Sequence, residues 1–196
     1  MENKLFLGVA RRIITPPVGT PLAGYQPDWF SKAVNDDLTA TVFCFEQNGK
    51  RALLASFTVI SINNELADEL RAMIQEKFSI PKEAVSLHMT HNHSGPNIAG
   101  GYGWGERDTD YLNRTLIPGL LDATAEAIEK MQSVTMAITT GESLVAINRR
   151  EQTLENKITF GQNPWGCFDK TMTCIAVRNA ETGAGILNMI HYGCHG

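Results

Sequence analysis

The chain has no apolar run approaching the ~20 residues that a membrane span requires. Its opening, Met1-Glu2-Asn3-Lys4-Leu5-Phe6-Leu7, lacks the hydrophobic region of a secretory signal. A cytoplasmic location is the expectation. Cysteine is scarce, and Cys44, Cys167, Cys174 and Cys194 show neither CxxC nor zinc-finger spacing, which excludes a disulfide scaffold and fits reduced, mostly buried thiols. Basic charge is not in excess: 17 Lys and Arg against 21 Asp and Glu leave a net charge of −4. That gives no polybasic footprint, so nucleic acid is not an expected partner. Repeats and low-complexity linkers are also missing.

What is present suffices for a core. With 196 residues, 43% of them hydrophobic, a chain buries roughly 70% of its unfolded surface, and one domain over 1–196 is expected. Thr39 to Glu46 and Arg51 to Ile60 flank Gln47-Asn48-Gly49-Lys50, a strong hairpin signal. Leu66, Leu70, Ile74 and Phe78 then recur at helical spacing behind a candidate Asn63 cap, with Pro81 beyond the end. Tyr111 to Met131 reads as a helix whose Pro118 predicts a kink or two shorter helices, its stripe of Leu112, Leu116, Leu120, Ala127 and Met131 facing a core. Val134 to Ile147 reads as strand broken near Gly141, and Thr171 to Val177 pairs with Gly185 to Tyr192. The fold class expected is α/β, or mixed α+β, with the site at strand ends.

The chemistry concentrates at Thr90-His91-Asn92-His93-Ser94-Gly95-Pro96. Upstream, Ala84 to Met89 alternates with period 2, placing Val85, Leu87 and Met89 on one face, and a continued extended path puts His91 and His93 on that face too. Two imidazoles there suit a metal ion plus a bound substrate. His88 has the opposite parity and reads as structural. A second cluster, His191-Tyr192-Gly193-Cys194-His195-Gly196, follows the apolar Gly185 to Ile190. The i, i+4 spacing of His191 and His195 would fit a helical zinc pair, but the glycines argue against a helix. Cys194 beside His195 is a weak candidate nucleophile, because adjacent strand residues point to opposite faces.

Three further features remain. The loop from Gly95 to Gly105 lacks the lysine of a P-loop and fits a flexible wall offering Tyr102 and Trp104 to a substrate chain, or an ordinary surface loop. Arg149 and Arg150 follow the apolar Leu144-Val145-Ala146-Ile147 and are expected at a strand end on opposite faces. Asp36 and Asp37 read most simply as a turn or cap before the strand near Thr39.

Gly8-Val9-Ala10 through Ile14-Thr15-Pro16, Gly24-Tyr25, Asn35-Asp36-Asp37-Leu38, Thr90 to Pro96, Asn148-Arg149-Arg150 and Cys194-His195-Gly196, in that order, resemble the neutral ceramidase family, specifically the N-terminal part of its catalytic domain. The resemblance implies a zinc-dependent amidase that cleaves the N-acyl bond of ceramide, or of a related amide, to a fatty acid and an amine such as a sphingoid base. It implies His91 as the first zinc ligand, His195 as the second, His93 facing the substrate, and Arg149 on the reacting carbonyl or product carboxylate. His93 would either stabilise the oxyanion or carry the proton to the leaving amine, and an Asp near position 36 could orient a zinc-binding histidine. The family completes its site with a glutamate and a tyrosine far downstream of the second histidine. The chain therefore reads as truncated after that motif, its remaining ligands expected from the rest of a catalytic domain or from a partner chain. The alternatives are a catalytically incomplete metal-binding module and a metal-free anion-binding protein using Arg149, His93 and loop amides.

Overall fold

A computed structural model describes residues 4–26 and 28–195. The three opening residues and the Gly196 of the last motif lie outside these. The chain divides into two compact units, Met1–Ser133 and Val134–Gly196. The fold is mixed α+β, as expected.

The first unit contains β1 (Leu5–Ile13), β2 (Thr39–Gln47), β3 (Lys50–Phe57), α1 (Asn64–Phe78), β4 (Val85–Met89), α2 (Thr109–Tyr111) and α3 (Ile117–Glu129). Its strands lie in the order β4-β3-β2-β1, with β4 at the edge. The β2–β3 hairpin turns at Asn48 and Gly49, whose φ angles of 53° and 73° are both in the left-handed region that a two-residue I′ turn requires. From β3 the chain crosses through α1 and returns as β4, parallel to β3, with Leu53 opposite Val85 and Phe57 opposite Met89. Asn63 caps α1, its side-chain oxygen accepting from Leu66 N at 2.9 Å and its Nδ2 donating to Ala99 O at 3.0 Å. The helix start is thus tied to the glycine-rich loop.

One face of this sheet is the core. In register across the strands lie Gly8 and Ala10, then Cys44, Val42 and Ala40, then Leu53, Ala55 and Phe57, then Val85, Leu87 and Met89. Against them pack Leu66, Leu70 and Ile74 of α1 and Leu120, Ala123 and Ala127 of α3. A helix lies over β1 at all because Gly8 has no side chain: a Cβ there would sit 1.6 Å from Ala127 O. Pro118 has no N–H to give and crowds the carbonyl four residues back. The helix accommodates it with a wider π-type turn over Leu112–Leu116 immediately before α3, which is the form the expected break takes. Tyr111 donates its hydroxyl to Ile14 O at 2.7 Å, and burial, then the nearby Asp108, pushes its phenol up so that it remains a donor.

In the second unit β5 (Gln132–Glu142), β8 (Thr171–Asn179) and β9 (Gly185–His191) form an antiparallel sheet, and β6 (Asn148–Gln152) pairs with β7 (Ile158–Asn163) as a separate hairpin. The expected β8–β9 pairing is present. The expected break near Gly141 is present one residue on: Gly141 still pairs with Met172 in the β5–β8 ladder, and β5 ends at Glu142. Leu144 to Ile147, read as a continuation of strand, is none: Leu144 and Val145 are exposed, so nothing rewards their burial as a strand face. Among the described residues, no helix is long and apolar enough to cross a membrane.

Candidate functional site

The two histidines of the HxH pair do come together, but not by strand parity. The pairing of β4 ends at Met89, with one more bond from Thr90 N to Phe57 O, and His91 takes a left-handed φ of 60°. That turn, not a continued extended path, brings the His91 and His93 rings to 4.9 Å between centroids at 85°. His91 is exposed and His93 half-buried. His91 Nδ1 lies 3.1 Å from Ile60 O. A carbonyl can only accept, so Nδ1 carries a proton, and Nε2 is the nitrogen left to bind a metal. Fixing the tautomer through a backbone carbonyl is how proteins prepare an imidazole to bind a metal, and by that criterion His91 suits a transition-metal ion.

His93 is seated by residues far away in the chain. Gly24, at φ +93°, lies so close that a Cβ would fall 2.1 Å from His93 Nδ1 and 2.7 Å from Ile60 Cδ1. Tyr25 meets the His93 ring edge-on at 5.3 Å and stacks on Trp29 at 4.9 Å. The Gly24→Ala variant combines a strained backbone with this overlap. We expect it to lose about 2 kcal/mol of stability or more and to displace His93, measured by thermal melting together with a structure of the variant; an unmoved His93 would contradict the assignment of Gly24 as its seat.

In the second unit, Arg149 and Arg150 lie inside β6 rather than beyond a strand end, which corrects the expectation from Leu144 to Ile147. Both are exposed. The Arg149 guanidinium sits 5.0 Å from the Phe160 ring centre. The same strand pair bounds a cavity of about 300 Å³ lined by Arg149, Arg150, Ile158, Thr159 and Phe160. His195 follows the end of β9 in an exposed, non-helical segment. The absence of a helix over 192–195 disposes of the His191–His195 helical pair. Asp169 is held below the usual carboxylate range by bonds from the Thr171 backbone and side chain, with His191 adding to the effect.

No protein-family model matches the chain. None of the curated protein sequences matches it either. Among solved structures, it is similar to neutral ceramidase from Pseudomonas aeruginosa, with a TM-score of 0.76 and 17% identity over 97% of this chain and 32% of that one. A ceramidase complexed with C2 gives 0.78 and 18%, over 96% and 31%. The fold is shared with neutral ceramidase. The chain spans about a third of the length of these structures.

Within this ceramidase-like fold the remaining candidates fall into place as supports. His88 is exposed with its Nε2 2.9 Å from Ser86 Oγ, a surface contact. Asp37 accepts the Thr15 hydroxyl at 2.7 Å while that hydroxyl accepts Leu38 N at 2.9 Å, the turn role expected of it. The glycine-rich loop is organised by Asn97, buried at 4% exposure, which donates to Gly105 O and accepts from Gly100 N, both at 3.0 Å. Tyr102 and Trp104 stand together at 5.2 Å, with Tyr102 exposed.

Burial pushes the Cys44 thiol up to about 11, and Cys194 Sγ points to the His195 carbonyl at 3.3 Å. Cys167 and Cys194 are exposed and Cys174 half-buried, so Cys44 alone meets the expectation of buried thiols. Sequence reasoning missed the roles of Tyr25, Trp29, Ile60 and Asn97. Gly24-Tyr25 was visible as a motif, but no local pattern connects it to a histidine about seventy positions away.

Proposed function

We propose that this chain forms the N-terminal part of the catalytic domain of a ceramidase-like zinc amidohydrolase acting on an N-acyl amide. The observation that carries the reading is the His91–His93 pair at the end of β4, with His91 Nδ1 held by Ile60 O, in a fold shared with neutral ceramidase. In this proposal His91 and His195 hold the metal, with further ligands from polypeptide outside these residues. Zinc, when bound, supplies a Lewis acid and a water that is acidic near neutral pH.

The chain's own side chains do the rest. His93 hydrogen-bonds the oxygen on which charge develops, or delivers a proton to the departing amine. Arg149 offers a planar guanidinium that fits a carboxylate or an oxyanion. No cysteine takes part.

The test is zinc content per chain in protein purified without chelator, followed by hydrolysis of N-acyl amides of increasing chain length, ceramide included. Near-stoichiometric zinc, and hydrolysis that a chelator stops and Cys194→Ala leaves intact, is the expected result. A wild type with little zinc defeats the proposal for the chain by itself. Phosphate binding indifferent to chelator would then favour the anion-binding alternative.

A further inference from the structure

We propose that Tyr25, buttressed by Trp29, is a positioning residue that fixes the ring plane of His93. The kinetic part of this inference rests on the amidase reading; the structural part does not. An imidazole rotates in a broad, roughly two-fold well about its last torsion, so a histidine that must present one nitrogen to a reacting group needs walls on both sides.

His93 has them. His91 stands at 4.9 Å and 85°, and the Tyr25 ring at 5.3 Å and 61°. Both lie within the range of separations and tilts at which aromatic rings attract edge to face. Tyr25 in turn lies nearly parallel to Trp29, at 4.9 Å and 26°. Trp29, Tyr25, His93 and His91 thus form one continuous row of rings that ends on the proposed metal ligand.

The segment carrying Tyr25 and Trp29 is held by backbone hydrogen bonds on both sides of those residues. Leu22 N donates to Trp29 O at 2.8 Å and Trp29 N to Gln26 O at 3.1 Å, which close the turn. Gly19 N to Ser31 O and Ser31 N to Thr20 O, each 2.9 Å, extend it as a narrow ribbon, in which Pro21 bridges Phe30. Ala23 N donates to Gly95 O at 2.9 Å, which fastens the ribbon to the chain just past His93. Gly24 then lets the ribbon approach His93 more closely than any residue with a Cβ permits.

Core burial does not account for the aromatic pair, since Tyr25 and Trp29 keep 45% and 52% of their surfaces exposed. About half of each residue's surface faces water. Beyond its stack on Trp29, the Tyr25 ring meets the His93 ring.

The experiment compares Tyr25→Leu, Tyr25→Phe and Trp29→Leu with wild type in two independent measurements. In the first, the His93 ring protons are followed by NMR. They should be displaced by ring currents in wild type and Tyr25→Phe, return toward ordinary histidine positions in Tyr25→Leu, and fall between in Trp29→Leu. In the second, amide hydrolysis should show kcat about tenfold lower in Tyr25→Leu, equivalent to about 1.4 kcal/mol, with KM unchanged and with Tyr25→Phe restoring the rate.

His93 resonances that ignore Tyr25→Leu overturn the proposal. A raised KM with unchanged kcat also overturns it, and makes Tyr25 a wall for substrate instead. Should the protein, assayed together with the polypeptide that completes its metal site, hydrolyse no amide, the amidase reading fails while the NMR comparison still decides the role of Tyr25.

Discussion

His91→Ala is expected to purify without zinc and to hydrolyse no amide above background, while melting close to wild type. The ring is exposed, so its removal opens no buried cavity of the kind that makes core truncations costly. What it removes is an imidazole whose tautomer is set by a backbone carbonyl, Ile60 O at 3.1 Å. Loss of an outer partner of a metal ligand commonly costs 10- to 100-fold in affinity or activity, and loss of the ligand itself should exceed that. The left-handed φ of 60° at this position is a second consideration, because alanine tolerates it less well than asparagine does. His91→Asn therefore serves as the companion variant, keeping the backbone while deleting the imidazole. Metal analysis of both, beside His195→Ala, settles the matter: full zinc in His91→Ala and His91→Asn would remove His91 from the site.

Gly8→Ala should be the most damaging single methyl group in the first unit. The added carbon would lie 1.6 Å from Ala127 O and 2.7 Å from Ala127 C. These are backbone atoms in the last turns of α3 and cannot swing aside as a side chain would. Either α3 lifts from β1 or β1 shifts in its ladder with β2, and each loosens the layer of Ala10, Val42, Leu120 and Ala123. Overpacking typically costs 1–3 kcal/mol, and a clash with helix backbone belongs at or beyond the upper end. We expect about 3 kcal/mol, or a melting temperature lower by about 6–12 °C for a chain of this size. Gly141→Ala is the control. No atom lies within 4 Å of its added carbon, and a change within about 0.5 kcal/mol is expected. Equal melting of the two variants would mean that β1 and α3 do not approach as described.

The parts legible from sequence were those where local chemistry and burial agree. Asn48-Gly49 between alternating runs, Asn63 ahead of Leu66, Leu70 and Ile74, and the alternation from Val85 to Met89 each name an element whose exposed and buried sides follow the pattern. The β6–β7 hairpin was not legible. Arg149, Arg150, Glu151 and Gln152 have no apolar alternation to read because the strand is exposed on both faces, whereas Leu144 to Ile147 looks like strand and is not. Nor does the boundary at Ser133 and Val134 carry a linker signal, since it falls inside β5.

At the site, the HxH spacing showed that two imidazoles would meet, but not how. The alternation of an extended strand would have sufficed, and the chain uses a left-handed residue instead. The Gly24 contact and the Trp29–Tyr25–His93 row depend on long-range packing that no window of sequence contains.

The position of β4 at the edge of its sheet bears on how firmly His91 is held. Its five residues hydrogen-bond to β3 on one side, and the open side leaves this strand nearer the low-stability end of the unit than β2, which is paired on both flanks. Any ion that joins His91 to groups elsewhere would oppose the fraying of β4, so occupancy and local opening are thermodynamically linked. Slowed amide exchange along Val85–Met89 would then accompany metal uptake, making the strand itself a reporter of whether the centre is filled.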